Sequence, residues 1–161
     1  MLKKIKENIL PYSVSIAISL LVGLLAALLT KDNMDIYEKL NTPPLSPPSI
    51  LFPIVWTVLY VLMGISAANI YGYRFSEPEP VRRGLMFYAA SLVLNFGWSI
   101  IFFNTGAYIF AFIWLLALLY SIIRTALEYK KLSLFSAILQ IPYILWVAFA
   151  GYLNLGIAIL N

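Results

Sequence analysis

Three groups of aromatic and amide side chains in this sequence have the types and spacing to line a cavity for a flat, apolar molecule. Within each group the residues recur every three or four positions, so on a helix they share one face. Aromatic rings stack with about 0.5–1.5 kcal/mol beyond the contribution of the area that they bury. The groups are Trp56, Tyr60 and Gly64; Asn95, Trp98 and Phe102; and Tyr143, Trp146, Phe149, Ala150 and Asn154.

The same spacing also fits aromatic packing between helices without any ligand, and the sequence leaves both explanations open. The amides of Asn95 and Asn154 would either orient a ligand or hydrogen-bond one helix to another. Aromatic residues make up 16% of the chain. Many of them stand near predicted helix ends, where a belt at the membrane interface is the ordinary explanation.

The residue types that are absent exclude most conventional catalysis. The chain has no histidine and no cysteine, which removes the usual general base, the commonest metal ligand and all thiolate chemistry. The sequence offers no conventional acid–base or nucleophile set. We therefore expect no metal site and no bound cofactor, and whether the protein is an enzyme stays open.

The composition is that of an integral membrane protein. The apolar fraction is 62% and the charged fraction is 11%, against about 45–50% and about 25% in soluble domains. The formal net charge of +4 comes from basic residues near predicted helix ends. Membrane topology explains that placement, so the charge does not indicate nucleic-acid binding.

Five apolar segments are long enough to cross a bilayer, which takes about 20 residues as a helix. They lie at about 9–30, 50–72, 84–103, 107–129 and 134–160. The predicted fold class is therefore an all-α membrane protein, a five-helix transmembrane bundle formed by a single domain over residues 1–161. Pro142 lies inside the fifth segment and should kink that helix.

Two features of the first segment are ambiguous: its basic head and its row of small residues. The basic head at residues 1–8 before an apolar run resembles a signal peptide, but the run is long for one and favours a retained helix. Ser15, Ser19, Gly23 and Ala27 recur every four residues, and small residues at that spacing let helices approach closely. We expect this stripe to pack inside the bundle, with a dimer seam as the alternative.

The loop at residues 31–49 contains Pro43, Pro44, Pro47 and Pro48. Proline fixes φ and lacks an N–H, so this part is not a regular helix. Non-helical backbone is costly in lipid unless protein or water covers it. We therefore expect a proline-rich loop between the first and second helices that caps the ligand cavity.

Charge asymmetry predicts the orientation in the membrane. Nine Lys and Arg residues lie in the amino-terminal head, the second loop and the fourth connection, whereas only Lys31 and Lys39 lie on the other side. Since basic residues concentrate in cytoplasmic loops, the amino terminus is predicted to be cytoplasmic. The long first loop and the carboxyl terminus would lie outside. No ionisable residue stands near the centre of a segment, which argues against an ion-coupled carrier.

Three segments together resemble the TspO/MBR family, also called the translocator protein or peripheral benzodiazepine receptor family. They read PPLSPPSILFPIVWTVLYVLMG, LNFGWSIIFF and IPYILWVAFAGYLN, in order along almost the whole chain. The resemblance implies a five-helix bundle, commonly dimeric, with a cavity beneath the first loop that binds porphyrins, sterols and benzodiazepine-type compounds. It also implies an enzymatic alternative, because some bacterial members are reported to degrade protoporphyrin in light.

The resemblance also implies roles for individual positions. Trp56 and Trp146 match the tryptophans tied to ligand binding and to porphyrin breakdown. The sequence departs from the family at Leu45 and Ile36, where tryptophan is usual, and so lacks two loop aromatics that would stack on a ligand. With the aromatic groups, the candidate ligand-binding residues are Tyr37, Pro47, Pro48, Trp56, Tyr60, Asn95, Trp98, Phe102, Tyr143, Trp146, Phe149 and Ala150.

The residues and the resemblance lead to one main hypothesis and two alternatives. The main hypothesis is an integral membrane protein that binds porphyrins, other tetrapyrroles and further flat hydrophobic ligands, sterol-like or benzodiazepine-like, in sensing or transport. The alternatives are a light-dependent protoporphyrin IX-degrading enzyme that uses Trp56 and Trp146, and a membrane scaffold whose aromatics only pack. The expected partners are the small molecule, membrane lipid and a second copy of the chain in a homodimer, with no nucleic acid.

Overall fold

All regular secondary structure is helical within the part of the chain that the computed structural model describes, which is the backbone of residues 2–161 and the side chains of residues 9–161. The side chains of the basic head at residues 1–8 lie outside that range. The α-helices are α1 (Leu2–Thr30), α2 (Ile36–Lys39), α3 (Leu51–Tyr71), α4 (Pro78–Ser99), α5 (Tyr108–Lys130), α6 (Leu134–Ile138) and α7 (Ile141–Leu160). A 3-10 turn follows α1 at Lys31–Asn33, and a π-helical turn continues α4 at Ile100–Asn104.

Within the described residues, five helical segments are long and apolar enough to cross a membrane. They are Ile9–Asn33, Leu51–Tyr71, Pro78–Asn104, Tyr108–Lys130 and Leu134–Leu160. The shortest has 21 residues, which at about 1.5 Å per residue covers a hydrocarbon core of about 30 Å. Large apolar side chains such as Leu28, Val93 and Ile113 are exposed on the outer faces. The predicted five-span helical bundle is confirmed, and the chain is a multi-pass integral membrane protein.

Two helices begin earlier than the sequence predicts. α4 starts at Pro78 rather than near residue 84, because a proline in the first turn costs no hydrogen bond and has a φ suited to the helix. α1 starts at Leu2, before the apolar run begins at Ile9. Lysine and glutamate favour helix nearly as well as leucine does, so a helix continues past the point where an apolar segment ends.

The fifth span is interrupted near Pro142, as predicted. Leu139 and Gln140 separate α6 from α7. The buried Gln140 side chain donates a hydrogen bond through Nε2 to Ser66 Oγ on α3 over 3.0 Å. Ser66 Oγ in turn donates to the carbonyl of Ser136 over 2.9 Å. Polar side chains of α3 therefore lie against the interruption and hydrogen-bond to it.

Small residues allow α1 to lie close against α3 and α4. A Cβ added at Gly64 of α3 would stand 2.5 Å from the Cα of Ile16, so the glycine permits the two backbones to approach. Ser19 is fully buried and hydrogen-bonds to the hydroxyl of Tyr88 on α4. A Cβ at Gly23 would overlap an aromatic ring of α3. At Ser19 and Gly23 the predicted stripe therefore packs inside the bundle.

The proline-rich loop is tied at two of its carbonyl oxygens. Tyr152 of α7 donates to the carbonyl of Pro44 over 2.8 Å, and Tyr37 of α2 donates to the carbonyl of Pro47 over 3.1 Å. Because proline lacks an N–H, each tie runs from a tyrosine hydroxyl to the loop. These two hydrogen bonds connect the proline-rich loop to α7 and to the short helix α2.

Candidate ligand cavity

A cavity of about 980 Å³ lies between α1, α3, α4 and α7, at the end of the bundle where the first loop joins α1 to α3. Seven of the twelve candidate residues line it: Tyr37, Trp56, Tyr60, Asn95, Trp98, Phe102 and Ala150. From the loop, Met34, Asp35, Glu38, Ser49 and Ile50 complete the wall. The loop therefore lines the cavity through residues before and after its four prolines. The prolines Pro43, Pro44, Pro47 and Pro48 do not line it.

Two aromatic pairs, one on α3 and one on α4, provide the ring surface of the cavity. The rings of Trp56 and Tyr60 lie 5.8 Å apart with 31° between their planes. Those of Trp98 and Phe102 lie 5.3 Å apart with 32° between their planes. Each pair is one helical turn apart, which explains why the rings overlie one another. Ring faces of this kind suit a flat, apolar molecule.

Asn95 brings a buried amide to the wall. Its Nδ2 donates a hydrogen bond to the hydroxyl of Tyr60 over 2.6 Å, and the residue is 2% exposed. The second polar atom of this amide has no hydrogen-bond partner among the described residues. This atom is the amide oxygen Oδ1, a hydrogen-bond acceptor on a residue that lines the cavity.

Asn154 is used differently, although it too lines the cavity. Its Oδ1 accepts a hydrogen bond from Trp98 Nε1 over 3.0 Å, and its Nδ2 donates to the carbonyl of Tyr108 over 2.7 Å. Both polar atoms of the amide are therefore occupied by protein. Both asparagines therefore join helices, but Asn95 keeps one amide atom without a partner among the described residues.

The loop end of the wall has an acidic rim, formed by Asp35 and Glu38. Lys39 donates a hydrogen bond to Asp35 over 2.7 Å, and this contact holds the pKa of the Asp35 carboxyl below its usual value. Glu38 accepts a hydrogen bond from Ser49 over 2.6 Å and forms no ion pair with a described Lys or Arg. The rim therefore leaves one carboxylate without a cation.

Five candidate residues lie off the main cavity: Pro47, Pro48, Tyr143, Trp146 and Phe149. Tyr143 is fully buried behind Trp56, with the two ring centroids 6.0 Å apart. Trp146 and Phe149 line a separate groove of about 430 Å³ between α3 and α7. The two indoles expected to share one ligand, Trp56 and Trp146, thus stand on different surfaces.

The inner face of α1 is the part of the wall that sequence reasoning missed. Leu20, Gly23, Leu24 and Ala27 line the cavity, whereas the spacing of the small residues among them predicts helix packing alone. A Cβ at Gly23 would overlap the ring of Tyr60. The repeat of small residues was the available signal, because it marks the face of α1 that turns inward.

The arrangement can bind and orient a molecule but offers little for acid–base catalysis. The ionisable side chains on its wall are the two carboxylates of the rim and the phenols of Tyr37 and Tyr60. Burial raises the pKa of the Tyr37 hydroxyl, which keeps it protonated and bonded to the loop. Ring stacking and a hydrogen bond accepted by Asn95 Oδ1 are the main interactions that the wall offers.

The fold and the cavity define a class: an integral membrane protein with five membrane-spanning helices and a largely apolar cavity between them. Comparison with known proteins then gives the family. The pattern of the TspO/MBR family matches residues 15–160, and the chain belongs to that family.

Similar proteins come from bacteria and animals. The chain is 35% identical over 156 residues to the tryptophan-rich protein TspO of Chlorobaculum tepidum, covering 96% of this chain and 98% of that protein. It is 35% identical over 130 residues to protein CrtK of Rhodobacter capsulatus, covering 78% of each. It is 36% identical over 120 residues to the translocator protein of Bos taurus, covering 73% of this chain and 70% of that protein.

The two loop positions that depart from the family pattern do not line the cavity. Leu45 is 85% exposed and has a φ of 66°, in the left-handed region. Ile36 lies in α2 and is likewise absent from the wall. The aromatic surface of the cavity therefore comes from α3 and α4, with Tyr37 and Phe52 nearer the loop.

Proposed function

We propose that this protein binds flat, largely apolar small molecules within the membrane, porphyrins and other tetrapyrroles or sterol-like and benzodiazepine-like compounds, in sensing or transport. The single observation behind this proposal is the cavity of about 980 Å³, with two aromatic pairs and one amide oxygen, Asn95 Oδ1, that has no hydrogen-bond partner among the described residues. Ligand cavities commonly measure about 300–1,000 Å³ and combine apolar walls with a few polar groups. This cavity has that size and that composition.

The ligand would lie with its flat face against the rings of α3 or α4. The free amide oxygen of Asn95, Oδ1, would accept a hydrogen bond from a donor at the ligand's inner edge. The outer edge would meet the acidic rim, where Glu38 forms no ion pair with a described cation. Like charges repel, so a neutral or cationic outer edge should bind better than a carboxylate.

The first loop would act as the cap of the cavity. α2 contributes Tyr37 and Glu38 to the wall, and the loop is tied to α7 through Tyr152 and to α2 through Tyr37. A ligand that is too large to enter the cavity past the loop would require these two hydrogen bonds to break. The positive-inside charge bias would place the amino terminus in the cytoplasm and this loop outside, and a homodimer would be the assembled form.

The test is a titration of the full chain in detergent with protoporphyrin and with its dimethyl ester, followed by tryptophan fluorescence and by thermal unfolding. A ligand that binds the folded state raises the melting temperature by mass action. We expect saturable quenching and a melting temperature that rises with ligand concentration. Linear quenching without any rise would contradict the proposal and favour a scaffold whose aromatics only pack.

A light-dependent reaction is a second candidate, because an oxidisable side chain, Trp56, stands on the cavity wall. A bound porphyrin would act as photosensitiser and molecular oxygen as oxidant. The measurement is loss of the Soret band under illumination, compared with detergent alone and with Trp56→Phe. Equal loss in all three samples would remove the enzymatic alternative.

A further inference from the structure

At the end of the bundle opposite the cavity, three cationic side chains surround one buried carboxylate. The Glu128 side chain is 4% exposed. Lys131 Nζ lies 2.8 Å from Glu128 Oε1, Arg83 Nε lies 3.6 Å from its Oε2, and Arg124 Nη2 lies 3.7 Å from its Oε1. We call Arg83, Arg124 and Lys131 the cationic cluster.

The cluster has more positive charge than its carboxylate can balance. Lys131 alone bonds both oxygens of Glu128, each over 2.8 Å, so the buried carboxylate has a full partner without either arginine. Three positive charges around one negative charge leave two in excess. The side chains of Arg83 and Arg124 are 52% and 37% exposed, so the excess charge is accessible from outside the protein.

The arginines also retain hydrogen-bond donors. A guanidinium has five N–H groups. Arg124 donates one, through Nη1, to the hydroxyl of Tyr120 over 3.0 Å, and its Cζ lies 4.7 Å from the ring centroid of Phe87. These contacts hold the guanidinium in place beside α4 and α5. The remaining donors suit a phosphate, which arginine contacts with two parallel bonds.

The position of the cluster fits a lipid better than a soluble anion. Arg83 is near the start of the Pro78–Asn104 span, and Arg124 is near the end of the Tyr108–Lys130 span. Both therefore lie at the depth of the headgroups, where spans meet the membrane interface. Next to them, exposed apolar side chains that would contact acyl chains include Met86, Tyr120, Ile123 and Leu127.

We propose that the cationic cluster is a binding site for the phosphodiester headgroup of an anionic phospholipid. The phosphate would lie between Arg83 and Arg124, while Lys131 stays on Glu128. A zwitterionic lipid presents its own cation to the same excess charge and binds less well. Basic pockets between spans are known to hold anionic headgroups. This site is separate from the ligand cavity and does not depend on the function proposed for it.

The experiment is native mass spectrometry of the full chain in detergent with equal amounts of phosphatidylglycerol and phosphatidylcholine that carry the same acyl chains. Each cation near a headgroup contributes an attraction equivalent to a several-fold change in affinity. We expect one phosphatidylglycerol to be retained with about tenfold preference. The double variant Arg83→Gln with Arg124→Gln should reduce that preference to about twofold or less, whereas Arg83→Lys with Arg124→Lys should keep most of it.

The matched control removes two arginines at the same end of the bundle. Arg74→Gln with Arg82→Gln deletes the same charge outside the cluster, where Arg82 is paired with Glu79 over 3.0 Å. This control should keep the preference. If both Gln double variants lose the preference for phosphatidylglycerol equally, the overall positive charge at this end of the bundle is responsible rather than a defined site. The proposal would then fail.

Two further outcomes also decide the matter. Equal retention of both lipids by the unaltered protein would overturn the proposal, and so would displacement of the lipid by an equal concentration of glycerol phosphate, which would indicate a site for soluble anions. If the Gln double variant does not fold, as judged by circular dichroism, Arg83→Gln alone leaves the Lys131–Glu128 pair intact. That single variant should then lose about half of the preference on a logarithmic scale, and an unchanged preference would overturn the proposal.

Discussion

The indole N–H of Trp98 donates a hydrogen bond to Oδ1 of Asn154 over 3.0 Å, between residues that are both buried. The bond joins α4 to α7 across the wall of the cavity. Asn154 also donates to the carbonyl of Tyr108 over 2.7 Å, so one amide links three helices. It fixes the ring of Trp98 where a ligand would contact it.

Replacement of Asn154 by leucine should destabilise the protein, because Trp98 Nε1 and the Tyr108 carbonyl both lose their partner. Hydrogen bonds between membrane helices average about 0.6 kcal/mol, and an unpaired buried group adds to that cost. We expect the free energy of unfolding to fall by about 1–2 kcal/mol, measured by titration with sodium dodecyl sulfate. A double-mutant cycle with Trp98→Phe should be less than additive. Additive effects would show that the bond contributes nothing.

The two tryptophans should respond differently to substitution, because only Trp56 lines the main cavity. Trp56→Phe should weaken binding of protoporphyrin dimethyl ester about tenfold, which corresponds to about 1.4 kcal/mol of lost ring contact. Trp146→Phe should change it by about twofold or less. Trp114→Phe, away from both surfaces, serves as the control for lost fluorescence. Equal losses at Trp56 and Trp146 would place the ligand against both and contradict the cavity assignment.

Gly23 should not tolerate a side chain, because a Cβ there would overlap the ring of Tyr60. Gly23→Ala should move that ring, break its bond to Asn95 and cost about 1–3 kcal/mol of stability, with weaker ligand binding. Gly151→Ala is the matched control, since its Cβ would stand 3.8 Å from Phe112, an ordinary contact. That change should be neutral or stabilising by up to about 1 kcal/mol. Thermal unfolding in detergent compares the two, and equal effects would contradict the packing argument.

The acidic rim should discriminate between ligands by charge. The dimethyl ester of protoporphyrin should bind about three- to tenfold more tightly than the dicarboxylic acid at neutral pH, because the Glu38 carboxylate repels a carboxylate nearby. Asp35→Asn with Glu38→Gln should narrow that ratio. Glu79→Gln, at the opposite end of the bundle, should leave it unchanged. A ratio that the rim double variant does not alter would show that the rim carboxylates do not meet the ligand's edge.

The two hydrogen bonds from tyrosine hydroxyls to the proline-rich loop should control the rate of ligand dissociation. Tyr37→Phe with Tyr152→Phe removes the bonds to the carbonyls of Pro47 and Pro44, so ligand dissociation and amide exchange at Ser46 should both become faster. Tyr71→Phe, at the other end of α3, is the control. Unchanged dissociation in the double variant would mean that the loop does not gate the cavity.

The hydrogen bond from the Tyr37 hydroxyl to the Pro47 carbonyl should persist to high pH. Burial raises the pKa of the Tyr37 hydroxyl, so its contribution to stability is present below the ordinary tyrosine value. That contribution to stability is lost only as the pH rises through the raised pKa that Tyr37 has in the folded protein.

Much of the architecture was predictable because it depends on the composition of short stretches of the chain. The five spans follow from runs of apolar residues, and the interruption near Pro142 follows from a missing N–H. A short helical turn is also possible from the sequence near Asp35 to Leu40, and α2 lies there, whereas the early start of α4 at Pro78 was harder to predict. Prolines at a helix start and prolines in a loop look alike until the backbone is known.

The order of residues is sufficient to predict a five-span helical membrane protein, to show which residues share a helix face, and to exclude histidine and cysteine chemistry. Which faces meet is known from the folded chain, where Trp56 lies on the cavity and Trp146 lies on an outer groove. The folded chain also shows that protein groups bond both amide atoms of Asn154 but only one of Asn95. The reason is that lipid is as apolar as a packed interior, so hydropathy does not distinguish an aromatic that faces lipid from one that faces a cavity.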